Sequence, residues 1–552
     1  MTESRSKTLQ YAILFFFLVA LSRFFYWQVI KSSEYRQKII SQTYKLEKIL
    51  PKRGKIYSSD YSLLATNQSY YLLSLYKPNF KEDFYQIISQ INSKKEDFLS
   101  QNQENLDNFY NKDSQKWITL PTQFTPQERE DIENLNLAGV SFEAQLTRYL
   151  PQKEYFQDIV GLTSKKDLSF SGYTGLESYY DKQLRGKTGF LRTPKDALGN
   201  PILTKKFWQN PSSDGLDLYT YLNREAQYLV QNALKEGIEL FQADSGSIIV
   251  IDPKTAGVLA ISSLEATSSA TPSASYKNPA IADTFEPGSI FKPLVVAIGL
   301  DSKKITKNFI CTKCNQPLNI GQYNISNWND QYHPDSTLKD IIKNSDNIGM
   351  SYIIKDIGQD IFLDYFQKLS LDKKTGIDLQ GESRSPLKTY WPEIDLATAS
   401  FGQGFAVTQI QILSAFNTLA NDGYYQHPKV LQSYLDGDQT IPTNNQEPEK
   451  IFSKGTTDQI KEILEYAVDQ GSVARLKPEN LKVCAKSGTA QVAVKGGYTD
   501  SHTIASYIGF APCDNPKFTM IVTINNPRSS PWGASTAAPI WYQLADKLQY
   551  LL

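Results

Sequence analysis

Three short groups of residues in this 552-residue chain have the types and spacings to do chemistry together. In FEPGSIFKPL, Ser289 and Lys292 stand three residues apart, just after Pro287-Gly288 at an expected helix start. Positions i and i+3 share one helix face, so the lysine amine can approach the serine hydroxyl one turn away. A serine hydroxyl is a poor nucleophile at neutral pH until a base takes its proton. A lysine whose ammonium is destabilised by burial or neighbouring cations is such a base. In KNSDNIGM, Ser345-Asp346-Asn347 offers a second hydroxyl to relay a proton and an amide to hold a peptide group. The third group, Lys486-Ser487-Gly488-Thr489, lies in a β-type run. There Lys486 and Thr489 suit an anionic ligand, and Gly488 leaves room for a ligand backbone.

Each group also has an ordinary reading. The Ser-x-x-Lys spacing recurs at Ser4/Lys7, Ser74/Lys77, Ser336/Lys339, Ser370/Lys373 and Ser385/Lys388, where a solvated surface pair explains it. Ser345-Asp346-Asn347 is equally suited to cap a helix, and the third group is a strand with one glycine. Their order within one C-terminal region is what distinguishes them. It resembles the S-x-x-K, S-D-N and K-T-G set of penicillin-binding proteins and class A β-lactamases, with Ser487 a mild variant.

The elements that must position these groups read as an α+β domain. Gly246 to Ile251, GSIIVI, is a buried-strand run, and Asp252-Pro253-Lys254 turns it towards a second strand at Val258-Leu259-Ala260-Ile261. Ser262 to Ser275, mostly Ser, Thr, Ala and Pro, reads as an exposed loop. Helix-like stretches follow. AKSGTAQVAV and IASYIGFAP then flank a loop containing Gly496-Gly497 as a second hairpin. Strands first, helices in the middle and strands last predict one antiparallel sheet covered by helices.

Upstream, Lys31 to Leu240 is polar and gathers no nucleophile, base and acid in one short region. Phe84, Ile87, Ile88 and Ile91 recur at helical spacing, and Thr125-Pro126-Gln127-Glu128 predicts a capped helix start. At the N-terminus, Tyr11 to Leu21 carries no charge, and apolar character resumes after Ser22-Arg23 up to Ile30. About twenty residues at about 1.5 Å each span a bilayer core. Arg5 and Lys7 before the stretch place the short N-terminus in the cytoplasm and the remainder outside, with Phe24 to Trp27 as an interfacial aromatic belt. A cleaved signal peptide ending near Ala20-Leu21-Ser22 is the alternative.

Composition sets outer limits. The 58 Lys+Arg against 58 Asp+Glu exclude the basic footprint of a protein held by nucleic-acid phosphates. Four Cys and three His exclude a dense disulfide scaffold and leave few routes to a metal site. Cys311-x-x-Cys314 is a candidate disulfide outside the cytoplasm, whereas Cys484 and Cys513 read as unpaired packing thiols.

The chain as a whole resembles the class B penicillin-binding proteins, monofunctional D,D-transpeptidases. Beyond the three motifs, the likeness rests on Ala399-Ser400-Phe401-Gly402-Gln403-Gly404 with Thr408 and Gln411, on Leu419 to Gly423, and on Ser506 to Pro512. Upstream it rests on Arg53-Gly54-Lys55-Ile56, Arg148-Tyr149-Leu150-Pro151, Gly175-Leu176-Glu177 and Asp214 to Leu218. KIYSSDYSLLATN departs from the family's Asp-Arg-x-Gly turn in that segment. The resemblance implies a tail at 1–8, an anchor at 9–30, an elongated pedestal of dimerisation type at 31–240 and a transpeptidase domain at 241–552.

It further implies that Ser289 is acylated by a D-Ala-D-Ala stem peptide or a β-lactam, and that Lys292 takes the serine proton. Ser345 would pass that proton to the leaving D-Ala, Asn347 would bind the substrate amide, and Lys486, Ser487, Gly488 and Thr489 would line the carboxylate site. The N–H groups of Ser289 and Thr489 would form an oxyanion hole. No cofactor or metal is implied. The expected partners are peptidoglycan stem peptides, β-lactams, the membrane and a polytopic glycan polymerase, in cell-shape or cell-division synthesis of the wall. Arg23 is a candidate contact for the polymerase. Three other outcomes stay open: a β-lactamase, although Glu382 and Glu393 between the second and third motifs lack its Glu-x-x-x-Asn context, a carboxypeptidase, and a β-lactam sensor.

Overall fold

A computed structural model describes residues 2–166, 169–196, 208–266, 277–443, 446–494 and 497–552. By contacts the chain forms two units. One comprises Met1–Arg53, Asp167–Ser169 and Arg185–Gly215; the other comprises Gly54–Lys166, Phe170–Leu184 and Leu216–Leu552. In the first, a helix at Thr2–Phe25 continues into a wider π turn at Tyr26–Ile30, and Arg5–Ile30 is long and apolar enough to cross a membrane. A second helix, Ser32–Thr43, leads into an antiparallel sheet of Tyr44–Ile49, Gly189–Pro194 and Trp208–Asn210.

The second unit is built on a five-stranded sheet. Its strands lie in the order Val258–Glu265, Ser245–Ile251, Phe518–Asn525, Gly497–Ala511, Cys484–Val494, every neighbour antiparallel. Both expected hairpins are present. Phe518–Asn525 takes the centre between them and joins the terminal strands into one sheet, as the order of elements predicts. Both faces are covered, which is why the strands read as continuous apolar runs rather than alternating ones. Ile248 and Val250 point to a core shared with the helices Arg224–Phe241 and Ala537–Leu551. Ile249 and Ile251 point to the opposite core, with the helices Lys292–Asp301 and Gln409–Ala420.

Several expectations change. Ser262 to Glu265 extends the second strand instead of opening a loop, because pairing with Ser245–Ile248 continues across it. The rest of that segment, 267–276, lies outside the described residues, as does Gly496 of the Gly496-Gly497 loop. The helix Arg224–Phe241 runs across position 240, and its buried Val230, Leu234 and Ile238 pack on the C-terminal sheet. The sulfurs of Cys484 and Cys513 are bonded, as are those of Cys311 and Cys314. Cys484 and Cys513 are therefore not packing thiols: antiparallel pairing brings the start of the edge strand beside the chain leaving its neighbour.

Upstream, a seven-stranded sheet includes Ile56–Tyr57, Leu63–Tyr76, Trp117–Phe124, Val140–Tyr149 and Asp217–Thr220. It continues through Leu431–Asp436 and Gln439–Pro442, so a late part of the chain returns to pair with the early part. Phe84, Ile87, Ile88 and Ile91 do form the buried face of a helix, Phe84–Asn92. Thr125 and Glu128 form the expected capping box on Pro126–Glu133. Arg148 and Glu177, from separate sequence landmarks, meet as a buried ion pair at 2.6 Å.

Candidate functional site

Ser289 sits in a 3-10 turn, Gly288–Phe291, that runs directly into the α-helix Lys292–Asp301. Gly288 enters the turn at φ +59°, a conformation an L side chain resists, and its N–H donates to Gly402 O at 2.9 Å. A Cβ on Gly402, itself at φ +80°, would lie 2.2 Å from Gly288 O, so the two backbones touch only because Gly402 lacks a side chain. The glycine of the Ser400-Phe401-Gly402 landmark is thus a brace for the nucleophile turn.

Ser345 lies between two helices. It ends Leu338–Asn344 in a left-handed conformation, φ +56° and ψ +44°, and Asp346 begins Asn347–Ile357 by accepting the Gly349 N–H at 2.9 Å. The capping reading of this motif is realised, and the caps make the tight turn that turns the Ser345 hydroxyl towards Ser289. Lys486 to Thr489 lie on the edge strand of the five-stranded sheet, with Lys486 opposite Ile508 and Thr489 opposite Ala505. A Cβ on Gly488 would come within 2.8 Å of Ile290 Cγ2. What closes on Gly488 is the Ser289 turn together with Ser506 of the neighbouring strand, so this glycine lets strand and turn pack tightly.

The side chains converge on one oxygen. Ser345 Oγ is 2.8 Å from Ser289 Oγ, 3.2 Å from Lys292 Nζ and 3.3 Å from Lys486 Nζ. Lys292 also reaches Ser345 O at 2.6 Å and Asn347 Oδ1 at 2.7 Å. Asn347 Nδ2 donates to Ser326 O at 3.0 Å. The hydrogen-bond partner of Ser289 is Ser345 and not Lys292, although the i, i+3 spacing suggests a direct contact. Lys486 donates to Ser487 O at 2.9 Å, and Thr489 Oγ1 accepts the Gly533 N–H at 3.1 Å, leaving its hydroxyl hydrogen for a ligand.

Both lysines are buried. Burial holds the Lys292 ammonium well below the usual lysine range; the Lys486 charge adds to this and Asp346 opposes it. Burial pushes Lys486 down to about 8. A neutral amine has two hydrogens and one lone pair. Lys292 can give its hydrogens to Ser345 O and Asn347 Oδ1 and keep the lone pair for the Ser345 hydroxyl. Ser345 Oγ can then accept from Ser289 and from Lys486 while donating to Lys292, which fills its three hydrogen-bonding positions. A proton can leave Ser289 along this path without any side chain moving.

Glu382 and Glu393 lie elsewhere. The Glu382 carboxylate accepts from the Thr375 N–H at 2.6 Å and the Gly376 N–H at 3.1 Å, inside its own loop. Glu393 is exposed and pairs with Lys355. No group of three or more His, Cys, Asp or Glu placed to hold a metal ion occurs among the described residues. Spacing singles out eight residues in three groups, and the fold brings these groups together. Spacing gives no sign of Ser326, Asn327 and Gly533, which reach the site from loops with no motif of their own.

Comparison with known proteins identifies the family of both parts of the chain. Residues 246–546 match the family model for the penicillin-binding protein transpeptidase domain, and residues 48–220 match that for the penicillin-binding protein dimerisation domain. The chain is 28% identical over 431 residues to stage V sporulation protein D of Bacillus subtilis, covering 75% of this chain and 65% of that protein. It is 27% identical over 435 residues to the peptidoglycan D,D-transpeptidase FtsI of Escherichia coli, covering 77% of this chain and 71% of that one. In fold it resembles penicillin-binding protein 2X of Streptococcus thermophilus, with a TM-score of 0.76 at 21% identity, covering 92% of this chain and 80% of that one. A peptidoglycan synthetase of Bifidobacterium adolescentis gives a TM-score of 0.72 at 21% identity, covering 92% and 96%.

Proposed function

The chain belongs to the class B penicillin-binding proteins and is a penicillin-binding transpeptidase; we propose that it cross-links peptidoglycan through an acyl-enzyme on Ser289. The observation that carries this assignment of roles is the Ser345 hydroxyl, hydrogen-bonded at once to Ser289 and to two buried lysines.

Ser289 Oγ attacks the carbonyl carbon between the two terminal D-alanines while its proton passes through Ser345 to Lys292. The developing oxyanion is met by the N–H groups of Ser289, in the first turn where helical N–H groups lack internal partners, and of Thr489. The C–N bond breaks, the proton returns through Ser345 to the leaving amine, and D-alanine departs. An amine of a neighbouring stem peptide then attacks the ester, the amide forms, and the Ser289 oxygen recovers its proton. Protonated Lys486 with Thr489 binds the terminal carboxylate, and Asn347 the substrate amide. β-Lactams follow the first half of this course.

Arg5–Ile30 serves as a single membrane anchor, with the catalytic part outside the cell membrane. A pedestal domain ends near 221, ahead of the helix Arg224–Phe241 that packs on the catalytic sheet. Glycan strands come from a separate polytopic polymerase. Arg23, whose guanidinium lies 5.2 Å from the Trp27 ring centre, is held at the aromatic belt, from where it meets that partner. Alanine at Arg23 should weaken co-purification from membranes, and an unchanged pull-down removes this contact.

The test of the reaction is a pulse and chase with a fluorescent penicillin on the full chain, beside Ser289→Ala. Label on the parent that persists for many minutes is expected. An equally labelled variant refutes acylation at Ser289, and release within seconds turns the reading to a β-lactamase.

A further inference from the structure

Resting on that reading, we infer that Asn327 is a positioning residue for acylation, and that Ser326-Asn327-Trp328 clamps both flanks of the Ser345 turn. Three consecutive residues of a loop remote in sequence each bond to one side of it. Trp328 Nε1–H donates to Asn344 O at 3.2 Å, immediately before Ser345. Asn327 Oδ1 accepts the Asn347 N–H at 2.8 Å and the Ile348 N–H at 3.4 Å, immediately after it. Ser326 O accepts Asn347 Nδ2 at 3.0 Å.

Each bond has a local reason. The first N–H groups of the helix Asn347–Ile357 have no intrahelical acceptor. Asp346 caps only Gly349, so the Asn327 carboxamide supplies the cap for the two residues before it. Asn327 is itself buried, and its Nδ2 is tied to Gln331 O at 2.8 Å, which fixes the orientation of the amide. A left-handed Ser345 between two helices is a strained hinge, and a hinge gripped on one side only would let its hydroxyl wander. The bond from Ser326 O goes further. It fixes the Asn347 amide so that Oδ1, not Nδ2, faces Lys292, and Lys292 gives it a hydrogen at 2.7 Å. The clamp therefore sets both the place of the relay hydroxyl and the direction of one Lys292 hydrogen bond.

The charged groups acting on Lys292 are Lys486 from the edge strand and Asp346 from the helix cap, with the Phe401 ring 6.0 Å away. Asn327 is neutral, so a carboxylate in its place adds a third charge, one residue removed from the amine. Asn327→Asp keeps the acceptor for both N–H groups, gives up the hydrogen bond to Gln331 O and favours the Lys292 ammonium. Asn327→Leu removes the acceptor. Trp328→Phe keeps a ring against Trp532, now 5.0 Å away, and removes only the N–H to Asn344.

The test measures acylation of the full chain by a chromogenic cephalosporin across pH, separating non-covalent affinity from the acylation rate constant. Asn327→Leu should lose about 10- to 100-fold in the rate constant with affinity unchanged, as misplacement of reacting groups does. Trp328→Phe should lose several-fold in the same constant. Asn327→Asp should keep most of the rate while its acid limb moves to higher pH, a shift that a merely structural cap would not produce. If the parent is acylated and Asn327→Leu matches it, or the Asn327→Asp profile superimposes on the parent's, this inference alone falls. A parent that takes no label overturns the underlying reading and this inference with it.

Discussion

Removing the Ser345 hydroxyl should separate a relay from direct transfer between Ser289 and Lys292. The perturbation is best made twice, as Ser345→Ala and Ser345→Gly. Both delete the atom that lies 2.8 Å from Ser289 Oγ and within 3.3 Å of both lysine amines. Ser289 then loses its hydrogen-bonded link to the base. A positioned acid-base group is worth about 10²- to 10⁴-fold in rate, or about 3–5 kcal/mol of barrier. The two variants differ in folding. Ser345 holds φ +56°, which costs an L residue about 1–2 kcal/mol and glycine almost nothing. Ser345→Gly should therefore be the more stable of the pair by about 1 kcal/mol, in calorimetry or denaturant titration, while stopped-flow acylation shows the same loss for both. Acylation within a few-fold of the parent would refute the relay and send the proton straight to Lys292. A tenfold difference between the two variants would show that the backbone of the turn, and not the hydroxyl, carries the effect.

Lys486 binds a carboxylate only while protonated, and burial pushes it down to about 8, so kcat/KM for acylation should fall as pH rises through about 8. Lys486→Arg keeps its charge past pH 10, so in a pH–rate profile that fall should disappear; a fall that stays near 8 assigns it to another group. The Arg148–Glu177 pair is buried on both sides, and Glu177→Gln should cost about 3–5 kcal/mol in thermal unfolding, with little effect on acylation measured well below the transition. Closing 29 residues of chain, the Cys484–Cys513 link should contribute about 3–4 kcal/mol. Its removal as Cys484→Ala with Cys513→Ala should lower Tm, and a thiol assay on the unreduced parent should find none of the four cysteines reactive.

The α+β class, both sheet hairpins and the three residue groups that the fold brings together were legible because each depends on chain-local patterns. GSIIVI is apolar without alternation because helices cover both faces of its strand, and Thr125 with Glu128 encodes a cap within four residues. What sequence could not reveal depends on pairings between distant segments. Phe518–Asn525 is an unremarkable apolar run until it takes the centre of the sheet between hairpins that begin at Ser245 and Cys484. The Cys484–Cys513 link follows from the register of Cys484 with Phe510, and no spacing rule announces it. The helix Arg224–Phe241 carries an amphipathic face, but only the fold shows that the face belongs to the catalytic sheet.

The same division runs through the site. Motifs single out candidate reacting atoms, because the proposed chemistry needs a hydroxyl, an amine and an amide whatever surrounds them. They do not identify which pair is hydrogen-bonded. The i, i+3 spacing of Ser289 and Lys292 suggests contact, yet the amine is drawn 2.6 Å from Ser345 O and 2.7 Å from Asn347 Oδ1. The burial that lowers its proton affinity also demands such partners, since a buried amine without acceptors is costly to keep. Those acceptors come from a turn that must itself be held, and Asn327 holds it from a segment twenty residues upstream. A buried lysine base therefore implies more than its own motif. Somewhere in the chain a neutral, immobilised group must fix its acceptors without adding a charge that would restore the ammonium, and an asparagine locked at both ends of its amide meets that requirement where an aspartate would not.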